Sequence, residues 1–131
     1  MPPVLHHVAL ETNPPDGDAA RRFWEILGFT EVDPPETLRD RAAWFERDGT
    51  QIHVLWTDTP VVPSQGHAAV VVPSFEVTVG RLREAGFDVE RRNPHWGVPR
   101  AFATAPGGHR VELMSAPPFC GSPPAGASTR G

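Results

Sequence analysis

Apolar and polar residues alternate along several short stretches of the chain, and in two longer stretches the apolar residues return every three or four positions. The first pattern marks half-buried strands and the second amphipathic helices. Sixteen prolines punctuate the pattern, because proline lacks a backbone donor and is excluded from helix and central-strand interiors. The proline-free runs are 4–13, 16–33, 36–59, 64–72, 74–93, 100–105 and 107–116. Val4 to Leu10 reads as a strand. Asp16 is placed to cap a helix from Gly17 to Leu27, with Ala20, Phe23 and Leu27 on one face and Gly28 as a left-handed stop. Phe29 to Asp33 makes a short strand. Ala42 to Arg47 and Thr50 to Trp56 form a hairpin across Asp48-Gly49, a strong turn dipeptide.

After a linker over 58–65 the order recurs. His67 to Val72 is a strand, and Ser74 caps a helix that shows Phe75, Val79 and Leu82 on one face before Gly86 stops it. Phe87 to Arg92 is a strand, 93–99 a loop, and Pro106-Gly107-Gly108 turns strand Arg100–Ala105 into strand His109–Ser115. Strand–helix–strand–strand–strand therefore occurs twice, and such a repeat governs the reading of any local motif. His7 lies 21 positions before Gly28, and His67 lies 19 before Gly86; Gly28 lies 25 before His53, and Gly86 lies 26 before Glu112. The fold class is α+β: two tandem βαβββ modules, 4–57 and 66–116, within a single domain spanning 1–131. The remainder, 117–131, is rich in Pro, Gly, Ser and Ala and is expected to be a flexible tail.

Composition narrows the chemistry. With 39% hydrophobic residues, no apolar run approaches the ~20 residues of a membrane helix. The N-terminus lacks the basic segment and apolar core of a signal peptide, so a cytoplasmic protein is expected. The net charge is −4 with a pI near 5.8, which excludes nucleic acid and anionic lipid as partners. All 12 basic residues are Arg, so there is no Schiff-base amine and no phosphate-loop lysine. The single cysteine, Cys120, permits neither an internal disulfide nor a multi-cysteine zinc cluster. Its place in the tail gives it no feature of a nucleophile. The six histidines carry the remaining interest.

Side chains alternate between the two faces of a strand. If the helices cover the face of Ile52, Val54, Val111 and Leu113, then His7, His53, His67 and Glu112 project from the opposite, concave side at repeat-equivalent positions. Ala9 and Ala69 beside them leave room for a ligand. Three imidazoles and a carboxylate suit Zn, Fe, Ni or Cu better than Ca or Mg, and any three leave an open position for substrate. Arg100 is a candidate for binding a substrate carboxylate, and His95 with Trp96 for covering the cavity mouth. His6 is expected to point away from His7, His109 to be solvated, and Trp24, Trp44 and Trp56 to be core or interface aromatics.

Certain phrases resemble the vicinal oxygen chelate superfamily, which includes glyoxalase I, bleomycin-resistance proteins, fosfomycin-resistance thiol transferases and extradiol dioxygenases. They are Leu5-His6-His7-Val8-Ala9-Leu10 and Ala20 to Phe29 in the first half. In the second they are Gly66-His67-Ala68-Ala69-Val70-Val71-Val72, Leu82 to Gly86, and Ala105 to Leu113. The resemblance spans 4–116 and implies paired βαβββ modules whose curved mixed sheets enclose a metal cavity, helices outside. It implies that His7, His67 and Glu112 are metal ligands, and that His53 stands where glyoxalase I carries glutamate. Glu112 is then the only ligand carboxylate and the candidate catalytic base, which departs from strict glyoxalase I chemistry. The implied protein is a homodimeric enzyme that uses a divalent metal ion (Zn, Fe, Ni or Mn) on a small oxygen-rich molecule. Its reaction would be of lyase, isomerase, thiol-transferase or dioxygenase type. The alternative is a non-catalytic binder of a drug or antibiotic, as in bleomycin resistance.

Overall fold

The predicted elements form in the predicted order. In the computed structural model, which describes residues 2–72 and 74–118, the chain runs β1 (His7–Thr12), α1 (Gly17–Ile26), β2 (Thr30–Val32), β3 (Ala42–Arg47) and β4 (Thr50–Trp56). It continues through β5 (Ala68–Val71), α2 (Phe75–Glu84), β6 (Val89–His95), β7 (Val98–Thr104) and β8 (Arg110–Met114). Short 3-10 turns at Pro14–Asp16 and Glu36–Leu38 join this series. Cys120 and the tail from 119 onward lie outside the described residues. No described helix is long and apolar enough to cross a membrane.

Local chemistry accounts for the boundaries. Both helices end where glycine takes the left-handed conformation, Gly28 and Gly86 each at φ +91°. Asp48 at φ +50° and Gly49 at φ +81° make the tight turn between β3 and β4, matching the twist that two-residue hairpins favour.

The strands form two four-stranded sheets of matching plan, β1-β4-β3-β2 and β5-β8-β7-β6. In each, the first strand runs parallel to the last of its module, and the other pairs are antiparallel. The fold is thus α+β, built from two tandem modules. Among the described residues one compact unit comprises 2–66 with 105–109, and the other the remainder. The first has its core in Phe23, Trp24, Leu27, Phe45, Ile52 and Val54, all at most 2% exposed. The second is built on Val79, Leu82, Ala101, Ala103, Val111 and Leu113, likewise at most 2% exposed.

One segment departs from the sequence reading. The predicted loop 93–99 is a continuation of β6 and β7, turned by Trp96-Gly97. Its two prolines are harmless because the register shifts between the pairs Arg92/Arg100 and His95/Val98. Pro94 and Pro99 fall between those two pairs; Pro94 is on the edge strand β6, where a missing donor is tolerated, and Pro99 precedes the first β7–β8 pair, Arg100/Met114.

Leu113 backs the strand that carries Glu112, with 0% exposure. Leu113→Ala should cost about 2–5 kcal/mol of stability through lost burial and the cavity left behind, read as a lower urea midpoint.

Candidate active site

The second unit contains a cavity of about 610 Å³, within the range of small-molecule sites. Five of the residues singled out from the sequence line it: His67, His95, Trp96, Arg100 and Glu112. Register explains their convergence. Ala69 on β5 pairs with Glu112 on β8, and Glu112 pairs with Phe102 on β7, so the three share one face. Val111 and Leu113, one step either side of Glu112, face the core at 0% exposure. Ala69, as anticipated, is the small residue that keeps the cavity open beside the acid. Its other walls are apolar, with Val98, Phe102 and Met114 among them.

The acid is held at both oxygens. His67 Nε2 lies 3.0 Å from Glu112 Oε1, and Arg100 donates from Nη1 to Glu112 Oε2 at 3.1 Å. Arg100 Nε also donates to the Asn93 carbonyl at 2.9 Å, which fixes the guanidinium. The Arg100 and Glu112 side chains are only 15% and 14% exposed, so this pair is screened far less than a surface one. Phe102 meets the His67 ring edge-on, centroids 4.9 Å apart. Arg100 is therefore a mid-strand residue, not one at a strand start, and its first partner is the neighbouring acid.

His95 and Trp96 sit at the end of β6 and in its turn. Trp96 has φ +53° and Gly97 φ +72°, a two-residue turn in which asparagine–glycine is the unstrained choice. A bulky aromatic in the left-handed region is an outlier, and here it lines the cavity while remaining 37% exposed. Strain of this kind persists only where the surrounding structure holds the residue in place.

His7 and His53 belong to the first unit. There they form a stack: Trp44 on His53 at 3.9 Å between centroids and 2° between planes, then His53 on His7 at 3.9 Å and 17°. Imidazole lone pairs lie in the ring plane, so near-parallel rings aim them side by side. His53 Nε2 donates to Gln51 Oε1 at 2.7 Å, and Gln51 in turn donates to Glu46 at 2.9 Å. Burial, with the neighbouring His7 and His6 adding to it, lowers the His53 pKa from 6.5 to about 4. His53 is consequently a neutral ring at 5% exposure.

Two lesser expectations are corrected. His6 does not turn away from His7: their Nδ1 atoms are 2.8 Å apart, because β1 begins only at His7 and strand alternation does not reach His6. His109 is not solvated. It is 5% exposed and donates from Nε2 to the Glu11 carbonyl at 2.6 Å, an interaction 98 residues distant in sequence that no local pattern signals. Among the described residues no three His, Cys, Asp or Glu side chains are grouped closely enough to hold a metal ion. Within one unit, the closest His–carboxylate approach is His67–Glu112.

The Glyoxalase/Bleomycin resistance protein/Dioxygenase superfamily model matches residues 4–113. Among solved structures, a putative glyoxalase family protein from Bacillus anthracis is similar at TM-score 0.76 and 25% identity, over 87% of this chain and 95% of that one. Oxidase ChaP-H2 is similar in fold at TM-score 0.72 and 22% identity, over 93% and 100% of the two chains. The fosfomycin resistance protein FosX from Mesorhizobium loti is similar in fold at TM-score 0.70 and 17% identity, over 89% and 95%. No curated protein matches the sequence.

Two measurements check this geometry. A histidine whose folded pKa is depressed stabilises the fold above its unfolded pKa and loses that contribution as pH falls. For His53 the window runs from 6.5 down to about 4. Metal-free protein should lose on the order of 3 kcal/mol across it, and His53→Phe should flatten that part of the urea-midpoint profile. Trp96→Asn should raise stability by about 1 kcal/mol by relieving the turn, seen as a higher Tm.

Proposed function

Because the chain belongs to the Glyoxalase/Bleomycin resistance protein/Dioxygenase superfamily, we propose that it is a divalent-metal-dependent enzyme acting on a small oxygen-rich molecule bound in the cavity of the second unit. The observation that carries this reading is the His67–Glu112 pair at the cavity wall. His67 Nε2 and Glu112 Oε1 are 3.0 Å apart on that wall, an imidazole nitrogen and a carboxylate oxygen that one small ion would reach together. An imidazole and a carboxylate suit Zn, Fe, Ni or Mn. His67 and Glu112 would hold the ion, with Arg100 securing the carboxylate from outside as outer partners of ligands do. His7 and His53 are the further donors that the sequence supplies, from the first unit.

When bound, such an ion supplies Lewis-acid polarisation of substrate oxygens. The remaining work falls to the chain. The apolar walls exclude water, which strengthens every electrostatic contact inside. Glu112 is the only carboxylate among the described residues lining the cavity, and its Oε1, the oxygen held by His67 rather than by Arg100, is the atom that would accept a proton. Arg100 occupies the second Glu112 oxygen at 3.1 Å, so the base presents a single atom. Trp96 and His95 cover the substrate. As read from the sequence, the enzyme would act as a cytoplasmic homodimer.

A second reading, a binding protein without chemistry, draws support from one fact: both Glu112 oxygens are satisfied by the chain's own side chains.

Metal content separates the two readings. Protein purified without added salts should carry a transition ion. Arg100→Met should weaken metal affinity about 10–100-fold, and His67→Ala and Glu112→Ala by more, all measured by competition with a chelator. Unchanged metal content in both alanine variants would sink the metal reading and leave the binding protein. His7→Ala and His53→Ala, assayed alongside, report whether the first unit's imidazoles take part.

A further inference from the structure

The register shift in the β6–β7 hairpin decides which side chain meets the cavity beside the turn. Arg92 stands opposite Arg100, and in that register Pro94 would stand opposite Val98. The shift puts His95 there instead. Val98, Arg100 and Phe102 alternate along β7 and all line the cavity, and His95, paired with Val98, lines it with them. An extra residue in one strand of a pair is a recurrent way of re-aiming a side chain. Next to it Trp96 sits at φ +53°, its indole edge-on to the imidazole with centroids 5.7 Å apart.

The imidazole brought there is uncommitted. Among the described residues four ionisable side chains line the cavity: His67, His95, Arg100 and Glu112. Three hold one another, His67 to Glu112 at 3.0 Å and Arg100 to Glu112 at 3.1 Å. His95 is half-buried, and its ring nitrogens carry no hydrogen bond among the described residues. Neutral imidazole offers one donor and one acceptor, which a hydroxyl, itself donor and acceptor, can match either way. Around it the wall is apolar, with Val98, Phe102, Met114 and Trp96. β7 lies between β6 and β8, so two strand spacings, about 10 Å, separate the backbone carrying His95 from the one carrying Glu112.

We propose that His95 is a specificity-determining residue, which takes a hydroxyl of an occupant whose ring body lies against Phe102, Met114 and Trp96. This rests on the cavity being the small-molecule site, and it adds a second polar anchor and the class of molecule that fits between the two. With the anchor on β6 and the acid on β8, His95 sets which end of the molecule meets the acid. A site that hydrogen-bonds a hydroxyl discriminates against the analogue lacking it, because the analogue leaves the imidazole unpaired.

The test uses two neutral probes of one shape, 2-naphthol and 2-methylnaphthalene, on the protein as purified. Binding is followed by the Met114 methyl and Trp96 indole resonances. His95→Phe keeps a ring against Trp96 and removes both nitrogens. The expected result is that this substitution weakens 2-naphthol roughly five- to tenfold, the margin of one hydrogen bond, and leaves the hydrocarbon unchanged. If His95→Phe does not fold, His95→Leu is read in its place. An affinity for 2-naphthol that survives the substitution overturns the inference while the cavity remains a binding site, since another group then holds the hydroxyl. Equal losses for the two probes overturn it as well, because His95 would then act only as part of the wall. If neither probe moves either resonance in the unaltered protein, the cavity reading falls and the inference with it.

Discussion

Alternation along β8 is the constraint from which the site follows. Val111 and Leu113 are wholly enclosed by the second unit's core, and a strand that buries its odd positions must send its even ones the other way. Glu112 thus reaches the cavity by the packing of its neighbours, with no loop to position it. A slip of one residue would put a carboxylate in the core and a leucine at the ion pair, an exchange whose cost secures the register. The same logic runs across the sheet to Phe102 and Ala69, which meet Glu112 from either side.

Fold and site were legible in the sequence to different degrees, for physical reasons. Elements set by periodicity and by glycine stops could be read, since the chain carries those signals locally: Gly28 and Gly86 end both helices, and Asp48-Gly49 turns the first hairpin. The cavity face could be read as well, because period-two alternation on β8 settles where Glu112 goes. The 93–99 segment could not. Its prolines argued for a loop, whereas the register shift between β6 and β7 absorbs them. Nor could the partners of Arg100, His6 and His109 be seen, because each depends on a contact fixed by tertiary structure or by where a strand begins.

The two modules share a plan and differ in what they do with it. In the first, the position equivalent to Glu112 is His53, which is neutral and enclosed between an indole and another imidazole. In the second, a carboxylate is paired with an adjacent guanidinium at 3.1 Å. One face is specialised for stacked neutral rings and the other for charge, although the backbone pairing beneath them is the same.

The first unit is not a continuous half of the chain. It includes 105–109, and His109 binds the Glu11 carbonyl there. A fragment ending at Gly66 would therefore leave that carbonyl bare and lose a piece of its own body. The duplication written in the sequence is thus no longer a clean cut at the linker, and the first copy cannot be expressed as an autonomous half without the five residues it takes from beyond it.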